Sequence, residues 1–259
     1  MTDHSQPIGT DPDSYDTCAS PPRTMDTIAT ELAATLVAQL NELPPQKRLL
    51  IGIAGIPASG KSTFALSLAK QLSSLLVNSP EEAAILVGLD GWHYTRAELD
   101  AMPDPKLAHG RRGAHWTFNG QSYVEFIHSL RKDITPSTPI ITAPSFDHAI
   151  KDPTPDAVSI HPHHRIVVIE GLYTFLSIEP WVEASKLLDE RWFVSVDAIK
   201  ARERLVSRHV VTGVAKDMKE AIWRADENDG PNGKFIIGNM LEPTRVITSV
   251  DDPLLLTTV

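Results

Sequence analysis

The residues with the clearest chemistry lie in "GIPASGKS", Gly55 to Ser62. The spacing fits G-x-x-x-x-G-K-S/T, which a chain of this length matches by chance about once in 100. The run follows an apolar stretch, "RLLIGIAG" (48–55), and opens a helical pattern, "KSTFALSLAKQLSSLL". A glycine-rich turn leading into a helix N-terminus gathers backbone N–H groups and the positive end of the helix dipole around an anion. Here the N–H groups from Ser59 to Thr63 are expected to converge on a β-phosphate. Lys61 reaches the β- and γ-phosphates, and the Ser62 hydroxyl ligates Mg²⁺. The nucleotide-binding set is therefore Gly55, Ile56, Pro57, Ala58, Ser59, Gly60, Lys61, Ser62 and Thr63, with Pro57 on the near side, where a donor is less needed.

Two carboxylates follow at the ends of apolar runs. Asp90 closes the strand-like "AAILVGLD" (83–90), and Glu170 closes "RIVVIE". In parallel α/β sheets, ligands bind outside the carboxyl ends of the strands, so both share a rim with the phosphate loop. A carboxylate facing a γ-phosphate can take the proton of an attacking hydroxyl, which suits Asp90. A second one can help hold Mg²⁺, which suits Glu170. Asp90–Gly91 and Glu170–Gly171 are also ordinary turn pairs. In "ARERLVSRH", Arg204 and Arg208 stand at i,i+4 on one helix face. There they either address phosphate oxygens or form a solvated face paired by Glu203.

These groups need a scaffold, and the chain supplies one. Ile28, Leu32, Leu36 and Leu40 mark an amphipathic helix with Thr24 or Asp26 as N-cap, stopped by "ELPPQK". Further strands are expected at 139–150 (its start), 164–173, 191–197 and 244–250. Helices are expected at 121–132, in "AIKARERLVSRHVV" and in "AKDMKEAIWRADEN". Near-continuous apolar strands separated by helices predict an α/β fold with a parallel sheet covered on both faces. Residues 1–23 read as a disordered tail and 24–259 as one domain, without repeats.

The chain has 259 residues, a net charge of −9 and a single cysteine, Cys18. Neither nucleic acid nor an anionic membrane is attracted by such a charge, and no apolar run reaches membrane-spanning length. Lone Cys18 excludes an internal disulfide and suits a reducing compartment. The tail has four aspartates and no apolar core, unlike a secretory or mitochondrial leader. A cytoplasmic location is the expectation.

GTPase signatures (D-x-x-G, N-K-x-D) and an LSGGQ signature are absent. The chain instead resembles the phosphoribulokinase/uridine kinase family of P-loop small-molecule kinases over about residues 48–235. The resemblance rests on "GIPASGKST", "LDGWHY", "RRGAHWTFN", "PSFDHAIKDP", "IEGLY", "RERLVSRHVVTG" and "ENDGPNG", in that order. It implies a three-layer P-loop nucleoside triphosphate hydrolase fold with a helical lid. It also implies ATP and Mg²⁺ as cofactors, and a small-molecule hydroxyl acceptor of nucleoside, pantothenate or sugar type. Asp90 then matches the catalytic base, Glu170 the acidic residue near Mg²⁺, and Arg204 and Arg208 the lid arginines acting with Lys61. Arg111 and Arg112 fall on the acceptor-facing segment, and Phe146, Asp147 and Lys151 on the loop that helps hold a nucleoside.

Gly91, after Asp90, departs from the uridine kinase pattern of Asp followed by Ser or Asp. It is similar instead to pantothenate kinases, bacterial sugar-uptake kinases and a fungal branch of P-loop kinases. Asn119 and His148 are further departures. Trp92, His93 and Tyr94 become candidates for the acceptor wall. "HPHH" (161–164) reads as a surface turn rather than a metal site. Trp116, Trp181, Trp192 and Trp223 read as core or subunit-contact residues, which leaves a homodimer open. "DENDGPNG" is turn-rich, with Asp229 and Asn232 either lining the pocket or in a plain loop. Two rivals to a kinase are a P-loop ATPase regulator and a catalytically inactive ATP-binding protein.

Overall fold

The computed structural model describes residues 23–77, 83–147 and 150–250. The expectations for residues 1–22, the end of the chain and His148 lie outside them. The first half runs α1 (Met25–Glu42), β1 (Leu49–Gly55), α2 (Lys61–Leu75), β2 (Ala83–Gly88), a 3₁₀ turn (Leu89–Trp92), α3 (Arg96–Asp100), α4 (Pro105–Gly110) and α5 (Gly120–Arg131). The second half runs β3 (Ile141–Asp147), β4 (Asp152–Ile160), β5 (His164–Glu170), α6 (Trp181–Lys186), β6 (Glu190–Ser195), α7 (Ala198–Val211), α8 (Met218–Arg224), a π turn (Ala225–Asp229), α9 (Gly230–Asn239) and β7 (Arg245–Thr248).

Five strands form one parallel sheet in the order β2-β5-β1-β6-β7. Every residue of β1 is buried, and strand alternation divides them between two cores. Leu49, Ile51 and Ile53 pack with Ile28, Leu32, Leu36 and Leu40 of α1 and with Phe64, Leu68 and Leu72 of α2. Leu50 and Ala54 face Tyr123, Ile127 and Leu130 of α5 and Trp181 and Ala184 of α6. Helices on both faces of a central sheet give the three-layer arrangement expected from the sequence. Thr24, not Asp26, caps α1, its side chain accepting from Thr27 N at 3.2 Å. Among the described residues no helix is long and apolar enough to cross a membrane.

Several expectations need correction. The stretch after Pro139 is strand-like, but β3 does not join the main sheet; it pairs antiparallel with β4. Pro153 and Pro155 hid β4, since prolines suit only the edge positions that a two-stranded ribbon offers. Residues 226–233 are not a loop: a π turn carries α8 into α9 without a break. Trp181 and Trp192 are core residues, whereas Trp116 and Trp223 are 39% and 54% exposed.

"HPHH" does form a turn, at the end of the sheet away from the phosphate loop. Burial, and then the neighbouring His163, His161 and Arg48, push the His164 ring down to about 4. A neutral ring is what its Nδ1 needs to accept the His161 N–H at 3.0 Å. Among the described residues no group of three or more His, Cys, Asp or Glu is placed to hold a metal ion.

Candidate active site

The loop between β1 and α2 lies at the carboxyl edge of the sheet. Ala58 and Gly60 take positive φ, 62° and 88°, which turns the chain sharply before the helix. Ser59 N–H donates to Ile56 O at 3.1 Å and closes the loop. Gly60 is the N-cap of α2, without a side-chain cap and without an acidic residue in the first turn. The N–H groups at the start of α2 are therefore presented to an anion. Gly55 is required by packing: a Cβ there would lie 2.8 Å from Val194 O and closer still to Ser59 Oγ.

The sheet order places the carboxylates beside this loop. Glu170, last in β5, pairs in register with Ile53 on one side and Gly88 on the other. Its Oε2 accepts the Ser62 hydroxyl at 3.1 Å. A hydroxyl and a carboxylate oxygen at that spacing are hard oxygen donors suited to Mg²⁺. Asp90 lies two residues past Gly88, not at the strand end but in the 3₁₀ turn that follows. His93 holds the turn, its backbone N and ring Nδ1 meeting Asp90 O at 3.1 and 2.8 Å.

Gly91 has a specific structural reason. A Cβ at this position would sit 2.6 Å from the Pro144 carbonyl carbon and nearer still to its oxygen. The Asp90 turn lies directly against the backbone of β3. Gly91→Ala should therefore destabilise the protein by about 1–3 kcal/mol, as overpacking does. It should also lower turnover at least tenfold by displacing Asp90, with ATP affinity retained. Thermal melts and ADP release check both; an unchanged melt together with full turnover contradicts this packing argument.

The residues expected to face an acceptor separate into lining and bracing groups. Trp92 is not a wall residue: it is buried against Tyr123 and Phe126, ring centres 5.4 and 5.0 Å away. The His93 ring is half-buried, 3.8 Å from the Phe118 ring centre and 4.9 Å from that of Phe146. Arg112 braces this wall. Its guanidinium stands 5.4 Å from the Phe146 ring centre, donates to Tyr94 O at 2.7 Å and to Lys151 O, and meets Asp152 at 3.1 Å. Burial alone would raise the Asp152 carboxyl; hydrogen bonds from Arg96 and Arg112 more than offset this and hold it low. Asp147 ends β3, and Lys151 turns the hairpin with φ 62°. Arg111 donates to Glu227 O and lines a cavity of about 420 Å³ with Lys106, Leu107 and Trp223. Asn119 is the N-cap of α5, its side chain accepting from Ser122 N at 3.0 Å.

The segment expected to form the lid is α7 with the helices after it. Arg204 reaches the phosphate loop, its Nη1 lying 3.4 Å from Ala58 O and 3.2 Å from Ser249 Oγ. Arg208, one turn on, is exposed. From the opposite side of α7, Arg202 pairs with Asp226 at 2.6 and 2.9 Å, and His209 meets Asp229 at 2.9 Å. Both bonds tie α7 to the π turn.

No family model matches the chain. Individual proteins do. An ATP-dependent kinase-like protein, notR′ of Aspergillus versicolor, is 48% identical over 159 residues, 61% of this chain and 92% of that protein. A Schizosaccharomyces pombe protein named provisionally as a uridine kinase is 40% identical over 205 residues, 79% of this chain and 85% of that protein. This chain belongs to the uridine kinase-like, ATP-dependent P-loop kinases. A solved structure from Silicibacter sp. TM1040, assigned provisionally as a fructose transport system kinase, superposes with a TM-score of 0.70 at 28% identity. It covers 83% of this chain and 98% of its own.

In this kinase the sequence motifs converge in space, but some groups beside the site were not singled out. Asp152 hid in the proline-rich β4, and only its two arginine partners show its bracing role. Tyr173, the last residue of "IEGLY", is buried and donates to Gly113 O at 2.7 Å. Burial, and then the charges of Asp229 and Asp90, raise its hydroxyl far above the ordinary range, so it stays a neutral donor.

Proposed function

We propose that this kinase transfers the γ-phosphoryl group of Mg·ATP to a hydroxyl of a small molecule of nucleoside, pantothenate or sugar type. The observation that carries the reading is the Ser62–Glu170 pair at 3.1 Å, with Asp90 two residues past Gly88, the register partner of Glu170. One rim thus holds oxygen donors for Mg²⁺, an anion-binding helix start and a carboxylate on the acceptor side. Mg²⁺, when bound, neutralises charge on the transferring phosphates. The chain supplies the rest. The loop N–H groups fix the phosphates, and Lys61, Arg204 and Arg208 face the charge that develops on the phosphoryl group. Asp90 receives the proton of the attacking hydroxyl. The braced wall of His93, Tyr94, Arg112 and Phe146 sets the acceptor's position.

The names carried by the S. pombe relative and the Silicibacter structure, uridine and fructose, support a hydroxyl acceptor. The test is a screen of nucleosides, pantothenate, sugars and sugar phosphates, reading ADP release and phosphorylated product. Acceptor-dependent ADP release with stoichiometric product is expected. ADP release stimulated only by a protein partner, without a phosphorylated small molecule, would instead establish an ATPase regulator.

A further inference from the structure

The π turn, Ala225–Asp229, enters no step of the transfer just described, yet it is bonded to both α7 and the Arg111–Arg112 segment. Two of its side chains, three residues apart, reach α7. Asp226 accepts from Arg202 Nε and Nη2 at 2.6 and 2.9 Å, and Asp229 meets His209 Nε2 at 2.9 Å. His209 is buried, on the same helix face as Ala201 and Leu205. The two residues between the aspartates reach the other way. Glu227 O accepts from Arg111, and Asn228 Nδ2 donates to Arg112 O at 3.2 Å. One short turn therefore holds the helix whose Arg204 comes within 3.4 Å of Ala58 O in the phosphate loop, and also the segment that braces the wall.

The joint with Arg112 is incompletely bonded. Asn228 Oδ1 and Arg112 Nε are both buried, and neither has a hydrogen-bond partner. One is an acceptor and the other a donor, on two residues that already share a bond. An unmet buried polar group is costly, and a native protein seldom keeps one without use. A displacement that brings these two atoms together satisfies both. The π turn supplies the means. It holds one residue more than the α-helical turn it replaces, and sliding that residue along the helix re-aims the side chains on both of its sides together. Such turns recur at functional sites.

We infer that the π turn couples the two halves of the site. Asp226 and Asp229 on the α7 side, and Asn228 on the Arg112 side, are positioning residues. Through them the placement of Arg204 and Arg208 and the ordering of the Arg111–Arg112 segment favour one another. This inference rests on the kinase reading above. A nucleotide that draws Arg204 onto its phosphates moves α7, and α7 moves the turn through Arg202 and His209. The turn then closes on Arg112, whose guanidinium holds Tyr94 O and stands against Phe146. Linkage makes the effect reciprocal: a molecule held by that wall strengthens nucleotide binding by the same factor.

The probe is Mg·AMP-PNP, and the readout is backbone hydrogen–deuterium exchange resolved by segment. In the unaltered protein, saturating probe should slow exchange about threefold or more in three places. These are the phosphate loop (55–63), α7 and, at a distance, residues 111–117. Asn228→Ala should abolish the protection of 111–117 while the loop and α7 keep theirs. Asp226→Ala combined with Asp229→Ala should abolish it at 111–117 and weaken it in α7, with the loop still protected. Glu220→Gln, which breaks a pair with Arg224 inside α8, should leave all three segments as they were. Thermal melts check that each variant is folded, and Asn228→Ala alone decides the outcome if the double variant is not. A turn that is merely structural would loosen the three segments alike. Protection of 111–117 that survives in the folded variants, or an equal loss in all three segments, overturns this inference and leaves the kinase reading standing. So does an unprotected 111–117 in the unaltered protein when the loop is protected. No protection of the phosphate loop in the unaltered protein overturns the nucleotide reading, and this inference with it.

Discussion

Asp90→Asn should bind ATP with unchanged affinity and transfer phosphate to its acceptor about 10²- to 10⁴-fold more slowly. General-base assistance is worth this much when the base meets the proton directly. The substitution is isosteric, and the turn that carries residue 90 is held by backbone contacts. His93 grips the carbonyl of Asp90, and Gly91 lies on Pro144. The geometry of the wall should therefore survive while proton acceptance is lost. Nothing in the phosphate loop depends on this side chain, so a nucleotide titration should superimpose on that of the parent protein. Rapid-quench measurement of the transfer step separates chemistry from product release. The three readings of the chain then diverge. An inactive ATP-binding protein shows no transfer before or after the change. An ATPase regulator turns over equally in both. Full transfer activity in the variant would remove Asp90 from the role of base.

How much of this could be read from the chain depends on how local each determinant is. The phosphate loop and its helix were legible because strand, glycine turn and helix are consecutive in sequence, and the apolar period changes visibly at Lys61. The neighbourhood of Glu170 and Asp90 followed from a topological rule rather than from local pattern. The register of β5 against β1 and β2 then fixed it. Trp92 shows where the rule stops. It shares the Asp90 turn, but whether a side chain in a 3₁₀ turn faces the cleft or the core depends on the phase of that turn. Tyr123 and Phe126, some 30 residues later, supply the surface that buries it.

Composition misled at residues 226–233 for a different reason. Gly and Pro are turn residues when they interrupt a helix, yet Gly230 and Pro231 open α9 directly after the π turn, with the chain helical throughout. The Arg112 brace was invisible because its three hydrogen-bond partners, Tyr94, Lys151 and Asp152, come from other segments.

Lys61→Ala should weaken ATP binding about tenfold or more and lower transfer about 10²- to 10⁴-fold, a loss spread over binding and chemistry rather than confined to the second. Lys61 opens α2, where alanine is the best helix former, so stability should move by less than about 0.5 kcal/mol. On the kinase reading proposed above, what is removed is one positive charge beside the β- and γ-phosphates. In a site that excludes water, such a charge is worth a few kcal/mol to a transition state that gathers negative charge on the transferring group. Arg204 cannot take over. Its guanidinium already approaches Ala58 O and Ser249 Oγ from α7, not from the start of α2. Lys61→Arg should rescue poorly, because a planar fork on a longer stem does not replace a compact ammonium between two phosphates. Comparing the two substitutions assigns the loss to charge or to shape. Isothermal titration with ATP and single-turnover transfer are the measurements. Unaltered turnover in Lys61→Ala would refute the phosphate-loop reading, and with it the placement of every other group around that loop.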